Sequence, residues 1–236
     1  MHFSEPLETG KWLKRYKRFF LDIELENGHI ITAHLANTGS LKTCWDENTL
    51  VTFTKSADPT RKIPYSVQWV QKDQKKIMIN TSLTNAIVKE ALLQKKMSSF
   101  ESYQNIEPEK KYGDSRLDFY LSDSTQGLPN CWIEVKNCTF EKSPGVASFP
   151  DAVTERGKKH LHELMNLKTR GDRVVMLYVI SREGIGVFDT QQDIDPEYAT
   201  ELSLSAQSGL EVYAYHLDFN GSTLELGQSC VVKGLI

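Results

Sequence analysis

Cysteine is scarce in this chain and forms no pattern: Cys44, Cys131, Cys138 and Cys230 are four among 236 residues, with no CxxC pair and no histidine at finger-like spacing. That argues against a disulfide framework and a zinc finger, and it fits a reducing compartment. No apolar run approaches the ~20 residues of a membrane-spanning helix. The opening Met1-His2-Phe3-Ser4-Glu5-Pro6 lacks the basic-then-apolar order of a secretory leader. A soluble, cytoplasmic protein with no membrane segment is expected. Internal repeats and low-complexity tracts are missing as well, and so is strong overall basicity, since the net charge is −3. With 39% hydrophobic residues, the length suits one large packed domain or two small ones.

The small net charge hides an asymmetry. Residues 1–80 carry twelve Lys and Arg against nine Asp and Glu, which leaves sixteen against twenty-two in the remainder. The excess gathers at Lys11, Lys14, Arg15, Lys17 and Arg18, interleaved with Trp12, Tyr16, Phe19 and Phe20. Cations beside flat aromatic surfaces suit a polyanion whose bases stack. A solvated first strand with a few core aromatics is the plainer reading of the same stretch.

The first third reads as β-rich, with strands expected over 19–25, 30–35, 50–55 and 65–70 and turn signals at Asn27-Gly28, Asn37-Thr38-Gly39 and Asp58-Pro59. Short strands without an intervening helix predict a small barrel. The OB type is preferred, although the spacing fits an SH3-like barrel equally. From about residue 80 the pattern becomes mixed α/β. A helix is expected from Asn80, Thr81 or Ser82 to about Ser99, with Leu83, Ile87, Ala91 and Phe100 on one side. A second opens at Pro150-Asp151, with Asp151 as its N-cap. The apolar run 173–180 reads as a strand buried on both faces. A third helix over 196–208 and a closing strand over 210–217 complete a mixed sheet flanked by helices.

Two strand-like segments, 116–121 and 131–136, carry the chemistry. Alternation sets Asp118 opposite Leu117 and Phe119, and puts Glu134 and Lys136 on one face. Paired as a hairpin, they bring two carboxylates and an ammonium together. Phosphodiester hydrolysis needs an activated water and charge stabilisation, which Mg²⁺ or Mn²⁺ on oxygen ligands supplies. Asp118 and Glu134 are the expected ligands, with the carbonyl of Val135. Lys136 is placed to orient the water or to stabilise transition-state charge. An ion pair of Glu134 and Lys136 beside an unrelated Asp118 is the alternative. Thr154, Arg156, Lys159 and His160 crowd the start of the second helix, where an anion is favoured; a solvated helix face explains them equally well. His160 either donates to a phosphate or packs beside Leu161 and Leu164. Glu90 is a further metal ligand, direct or through water, or a partner of Lys89 or Gln94.

These residues resemble the sugar fermentation stimulation protein A (SfsA) family. The likeness runs through Arg15-Tyr16-Lys17-Arg18-Phe19, Asn37-Thr38-Gly39, Thr60-Arg61-Lys62, Asn80-Thr81, Lys89-Glu90-Ala91, Ser115-Arg116-Leu117-Asp118-Phe119, Ile133-Glu134-Val135-Lys136 and residues 149–157, continuing at Lys159-His160-Leu161. It implies an OB-fold domain at 1–80 and a PD-(D/E)xK restriction-endonuclease-like α/β domain at 81–236. Asp118, Glu134 and Lys136 match the catalytic positions, and Glu90 lies where some nucleases carry another acid. Leu117 stands in place of the proline that often precedes the aspartate. The resemblance further implies DNA binding without marked sequence preference and a regulatory link to sugar (maltose) utilisation. DNA is then held mainly by its phosphate backbone, through Lys14, Arg15, Tyr16, Lys17, Arg18, Thr154, Arg156, Lys159 and His160. An active metal-dependent DNA endonuclease is the alternative, and a nuclease fold serving as a scaffold is a third reading. Apolar edge strands leave room for a homodimer.

Overall fold

A computed structural model describes residues 1–47 and 49–235. Six strands come first: β1 (Leu7–Tyr16), β2 (Phe20–Glu24), β3 (Ile30–His34), β4 (Leu50–Lys55), β5 (Tyr65–Lys72) and β6 (Lys75–Met78). Strand β1 is long enough to pair with β4 along its first half and β2 along its second, bending between Trp12 and Lys14 where the register shifts. Gly10 permits the close approach of β2, because a Cβ there would sit 2.5 Å from Ile23 Cγ2 and 2.7 Å from the Glu24 carbonyl. β3 closes on β5 in parallel, giving the circuit β1-β2-β3-β5-β4. That circuit is an OB barrel and decides against an SH3-like one. Leu21, Ile23, Ala33, Leu35, Val51, Phe53 and Val67 fill it.

A 3-10 turn capped by Asn80 leads into α1 (Thr84–Leu93). This helix is shorter than expected: Lys95 adopts a left-handed φ of 53°, and Phe100 is buried by a separate turn at Ser98–Phe100. The remainder runs β7 (Tyr103–Tyr112), β8 (Ser115–Ser124), β9 (Cys131–Cys138), β10 (Glu141–Ser143), β11 (Val146–Phe149), α2 (Glu155–Thr169), β12 (Arg173–Ile180), β13 (Val187–Thr190), α3 (Pro196–Gln207), β14 (Glu211–Asn220), β15 (Thr223–Ser229) and β16 (Val231–Val232). The main sheet has the order β15-β14-β12-β9-β8-β7, parallel at its centre and antiparallel at both edges. A smaller sheet, β10-β11-β13-β16, was not foreshadowed by hydrophobic alternation.

Strand β12 explains its own apolar run. Val175, Leu177 and Val179 join the core under α1, while Val174, Met176, Tyr178 and Ile180 join the core under α2 and α3. Both faces are dry, as a central parallel strand requires. The expected boundary at residue 80 follows the end of β6, yet packing crosses it: Trp69 and Met78 lie in the α1 core, and Met1–Phe3 extends the main sheet beside Ser222, Thr223 and Leu224. Among the described residues no helix is long and apolar enough to cross a membrane.

Candidate active site

Strands β8 and β9 pair antiparallel through Phe119–Ile133, Tyr120–Trp132 and Leu121–Cys131. The next pair in that register is Asp118 and Glu134, where the ladder stops. Strict alternation also fails there: Leu117 packs in the α2–α3 core and Phe119 in the α1 core. The strand rolls at Asp118. Its carboxylate accepts the Val135 N–H at 2.7 Å through one oxygen and the Asn85 side-chain amide at 2.7 Å through the other. Glu134 and Lys136 share the α2 side of β9, with the Lys136 Nζ 2.5 Å from Glu134 Oε1.

His160 completes the group. It is 3% exposed and donates from Nδ1 to Glu134 Oε1, and Nδ1 lies 3.1 Å from the Lys136 Nζ. Its Nε2 accepts from Arg156 Nε at 3.5 Å, so a single tautomer serves both neighbours. This corrects the reading of His160 as a phosphate donor: it is a buried residue that orients Glu134. Thr154, expected to bind nucleic acid, caps α2 by accepting from the Gly157 N–H at 3.0 Å. Asp151 is not that cap. Its carboxylate accepts from the Ser40 N–H at 2.7 Å and the Ser40 hydroxyl at 3.1 Å, which ties the barrel to the α/β domain.

Burial and charge act differently on the two carboxylates. Burial first, and then the Glu134 charge, push the Asp118 carboxyl up to about 6, against the hydrogen bonds of Val135 and Asn85 and the charge of Lys136. Burial also raises Glu134, but the His160 hydrogen bond and Lys136 outweigh it and leave this group below its ordinary value. Glu134 Oε2 is buried with no hydrogen-bond partner among the described residues. Two neighbouring carboxylates, one with an orphaned oxygen, fit Mg²⁺ or Mn²⁺, which take one or two carboxylates and complete their shell with water. No group of three or more His, Cys, Asp and Glu among the described residues could hold an ion. Carbonyl or water oxygens therefore have to supply the rest of any shell.

A cavity of about 450 Å³ opens over these groups, lined also by Thr84, Asn85, Glu109 and Arg156, and an adjacent one of about 480 Å³ is lined by Arg116, Arg156, Lys159 and His160. Glu90 lines neither. Contrary to the expected ligand role, it holds the N-terminal ammonium at 2.6 Å and accepts from Gln94, so α1 contributes Asn85 and Thr84 to the site. Sequence reasoning missed Asn85 and Glu109. Glu109 falls between the register pairs Pro108–Phe119 and Lys110–Leu117, opposite Asp118, with a left-handed φ of 55° that marks it on the backbone alone.

Two family models divide the chain where the fold does: one described as the SfsA N-terminal OB domain matches residues 13–79, and one described as the sugar fermentation stimulation protein RE domain matches residues 82–223. The chain belongs to the sugar fermentation stimulation protein family. Similar curated relatives, each named sugar fermentation stimulation protein homolog, include that of Shewanella loihica, 41% identical over 99% of this chain and 100% of its own. That of Pasteurella multocida is 41% identical over 92% and 90%. A solved structure, SfsA of Pyrococcus furiosus in complex with Ca²⁺, matches with a TM-score of 0.87 at 24% identity, covering 99% of this chain and 98% of that one. At that identity it speaks for the fold alone: the same barrel followed by the same α/β domain.

In this SfsA-family chain the basic segment divides into structural and exposed parts. Arg15 is committed to the barrel, donating to the carbonyls of Gly39 at 2.9 Å, Asn37 at 2.8 Å and Arg18 at 3.1 Å. Tyr16 is half-buried, its hydroxyl 3.3 Å from Asp22. Lys14, Lys17 and Arg18 are exposed, the last two at left-handed φ values of 47° and 63° in the β1–β2 turn. Arg15→Ala is therefore expected to destabilise the fold by about 1–3 kcal/mol, because charge-assisted hydrogen bonds to carbonyls are lost. The double change Lys17→Ala, Arg18→Ala leaves the melting temperature nearly unchanged. Thermal denaturation of both proteins checks this.

Proposed function

We propose that this protein binds DNA through its phosphate backbone, without strong sequence preference, and holds Mg²⁺ or Mn²⁺ between Asp118 and Glu134. The observation that carries the reading is the orphaned, buried Glu134 Oε2 beside an Asp118 whose ionisation burial and then its neighbour oppose. A divalent cation satisfies the first and relieves the second. The Ca²⁺ in the Pyrococcus furiosus protein supports the same expectation. When bound, the cation supplies positive charge against phosphoryl oxygens and makes water more acidic. The chain's own groups do the rest. Asn85 and the Val135 N–H fix Asp118; His160 and Lys136 fix Glu134; Arg156 and Lys159 meet phosphate at the cavity rim; and the Val135 carbonyl is a candidate further ligand.

Lys136 favours a second reading, metal-dependent hydrolysis of DNA. Its ammonium stands 2.5 Å from Glu134 and lines the cavity, where it can donate to the attacking water or to developing phosphoryl charge. A regulatory role in sugar metabolism goes with DNA binding, since the relatives are named for stimulating sugar fermentation.

Affinity measured against salt tests the binding reading. The expected slope of log K on log salt is clearly negative, and the Lys17→Ala, Arg18→Ala protein shows weaker binding and a shallower slope by up to about two. A flat salt response would remove the backbone mechanism. Cleavage of single-stranded, double-stranded and branched substrates with and without chelator separates binding from hydrolysis.

A further inference from the structure

Between the barrel and the α/β domain lies a third cavity, about 300 Å³ in volume, with no part in the binding scheme above. One wall is the barrel loop Asn37-Thr38-Gly39; the other is formed by Asn137 near the end of the carboxylate strand, Phe140 just after it, and residues 148–154 ahead of α2. Thr81 and Asn137 line both this cavity and the one over Asp118 and Glu134, so the two spaces adjoin. Gly39 lets the walls come this close, since a Cβ there would lie 2.6 Å from Asp151 Oδ2.

The chemistry of the walls selects a neutral, flat, hydrogen-bonding group. No lysine or arginine lines the cavity, and its one carboxylate, Asp151, is already satisfied by Ser40. A backbone phosphate finds no counter-charge there. Phe140 is half-buried, and it belongs to none of the three apolar clusters of the molecule. Its ring offers a stacking face. Two side-chain amides line the same cavity: the Asn137 oxygen accepts from the Thr84 and Ser181 hydroxyls, which leaves its NH₂ to donate elsewhere, and Asn37 likewise uses its oxygen on the Gly39 N–H. Ser148 adds a buried hydroxyl with no hydrogen-bond partner among the described residues. An aromatic surface with amide and hydroxyl groups at its edge is how proteins hold an unstacked base.

We propose that this cavity receives the unpaired base of the nucleotide beside the phosphate at Asp118 and Glu134. It rests on the DNA-binding reading and sharpens it. The substrate class is single-stranded DNA, or a duplex carrying an unpaired nucleotide, because a base inside an intact helix cannot reach Phe140.

The test compares a labelled single strand with the same strand fully paired, in Ca²⁺, by fluorescence anisotropy, with one 2-aminopurine reporting base environment. Phe140→Ala removes the stacking face. Thr38→Trp fills the mouth from an exposed position, so packing is untouched. Each is expected to weaken single-strand binding about tenfold and to change duplex binding by less than about twofold, with the 2-aminopurine response lost. Equal losses on both substrates, or none with Thr38→Trp, would overturn the base pocket. A wild-type protein that binds only duplex also overturns it while the DNA-binding function stands. One that binds neither form removes that function and the pocket with it.

Discussion

Glu134→Ala is expected to lower metal-dependent DNA cleavage by about a thousandfold or more while DNA affinity stays within a few-fold of wild type, because a charge-stabilising ligand carries several kcal/mol of the barrier. Glu134 is where three demands meet. One oxygen holds Lys136 and His160, the other is the orphan that the proposed cation would satisfy, and its charge adds to burial in raising Asp118. Binding, on the proposed reading, would draw instead on exposed Lys17 and Arg18 at the barrel tip and on Arg156 and Lys159 at the rim. The variant also removes a buried charge from beside Lys136 and His160, and breaking a buried pair can destabilise by about 3–5 kcal/mol. Glu134→Gln controls for this, since it keeps the volume and an acceptor oxygen but not the charge. If the Gln protein melts near wild type and still cleaves at the wild-type rate, Glu134 has no role in hydrolysis.

The hairpin of Asp118, Glu134 and Lys136 was legible because strand alternation and a short apolar register leave few alternatives, and the ladder Phe119–Ile133 is the one that register requires. The barrel strands β2 to β5 were legible for the same reason, but the extent of the long β1 and the OB closure were not: the parallel β3–β5 pair joins residues 33–34 to 65–66 and leaves no local signal. Asp118 itself departs from alternation, since the two cores claim Leu117 and Phe119 separately. His160 shows the limit of pattern reading most clearly. Its helix position was evident, but whether it faces phosphate or Glu134 depends on how α2 sits on β9, a tertiary fact. Glu90 and Asn85 make the same point on α1, where a five-residue difference decides which side chain meets Asp118. Asp151 looked like a cap by its place after a proline, yet its oxygen is taken by Ser40, 111 residues away.

Asp118→Asn is expected to raise the stability of the metal-free protein above pH 6, and the gain should vanish as the pH falls towards 4. The carboxyl titrates at about 6 in the folded chain, above the ~3.9 of an exposed aspartate. An acid with a raised folded-state pKa favours folding when protonated. Below about pH 4 it is protonated in both states and has no effect; from there to pH 6 its ionisation costs the folded state progressively; above pH 6 the full penalty applies. Two pKa units correspond to about 3 kcal/mol, or roughly 6–12 °C in melting temperature for a chain of this size. The observed gain will be smaller, because an asparagine offers one acceptor where Asp118 serves both Val135 and Asn85. Glu134 acts in the opposite sense, its lowered pKa adding stability that is lost on acidification. The difference between variant and wild type isolates Asp118 from it. Added Mg²⁺ or Mn²⁺ should reverse the order at pH 8: a cation at a hundred times its dissociation constant stabilises wild type by about 2.7 kcal/mol, and the asparagine protein, with one ligand charge removed, gains far less. Melting curves from pH 4 to 8, with EDTA or with metal, decide it. A wild-type protein indifferent to both pH and metal would show that these carboxylates hold no cation.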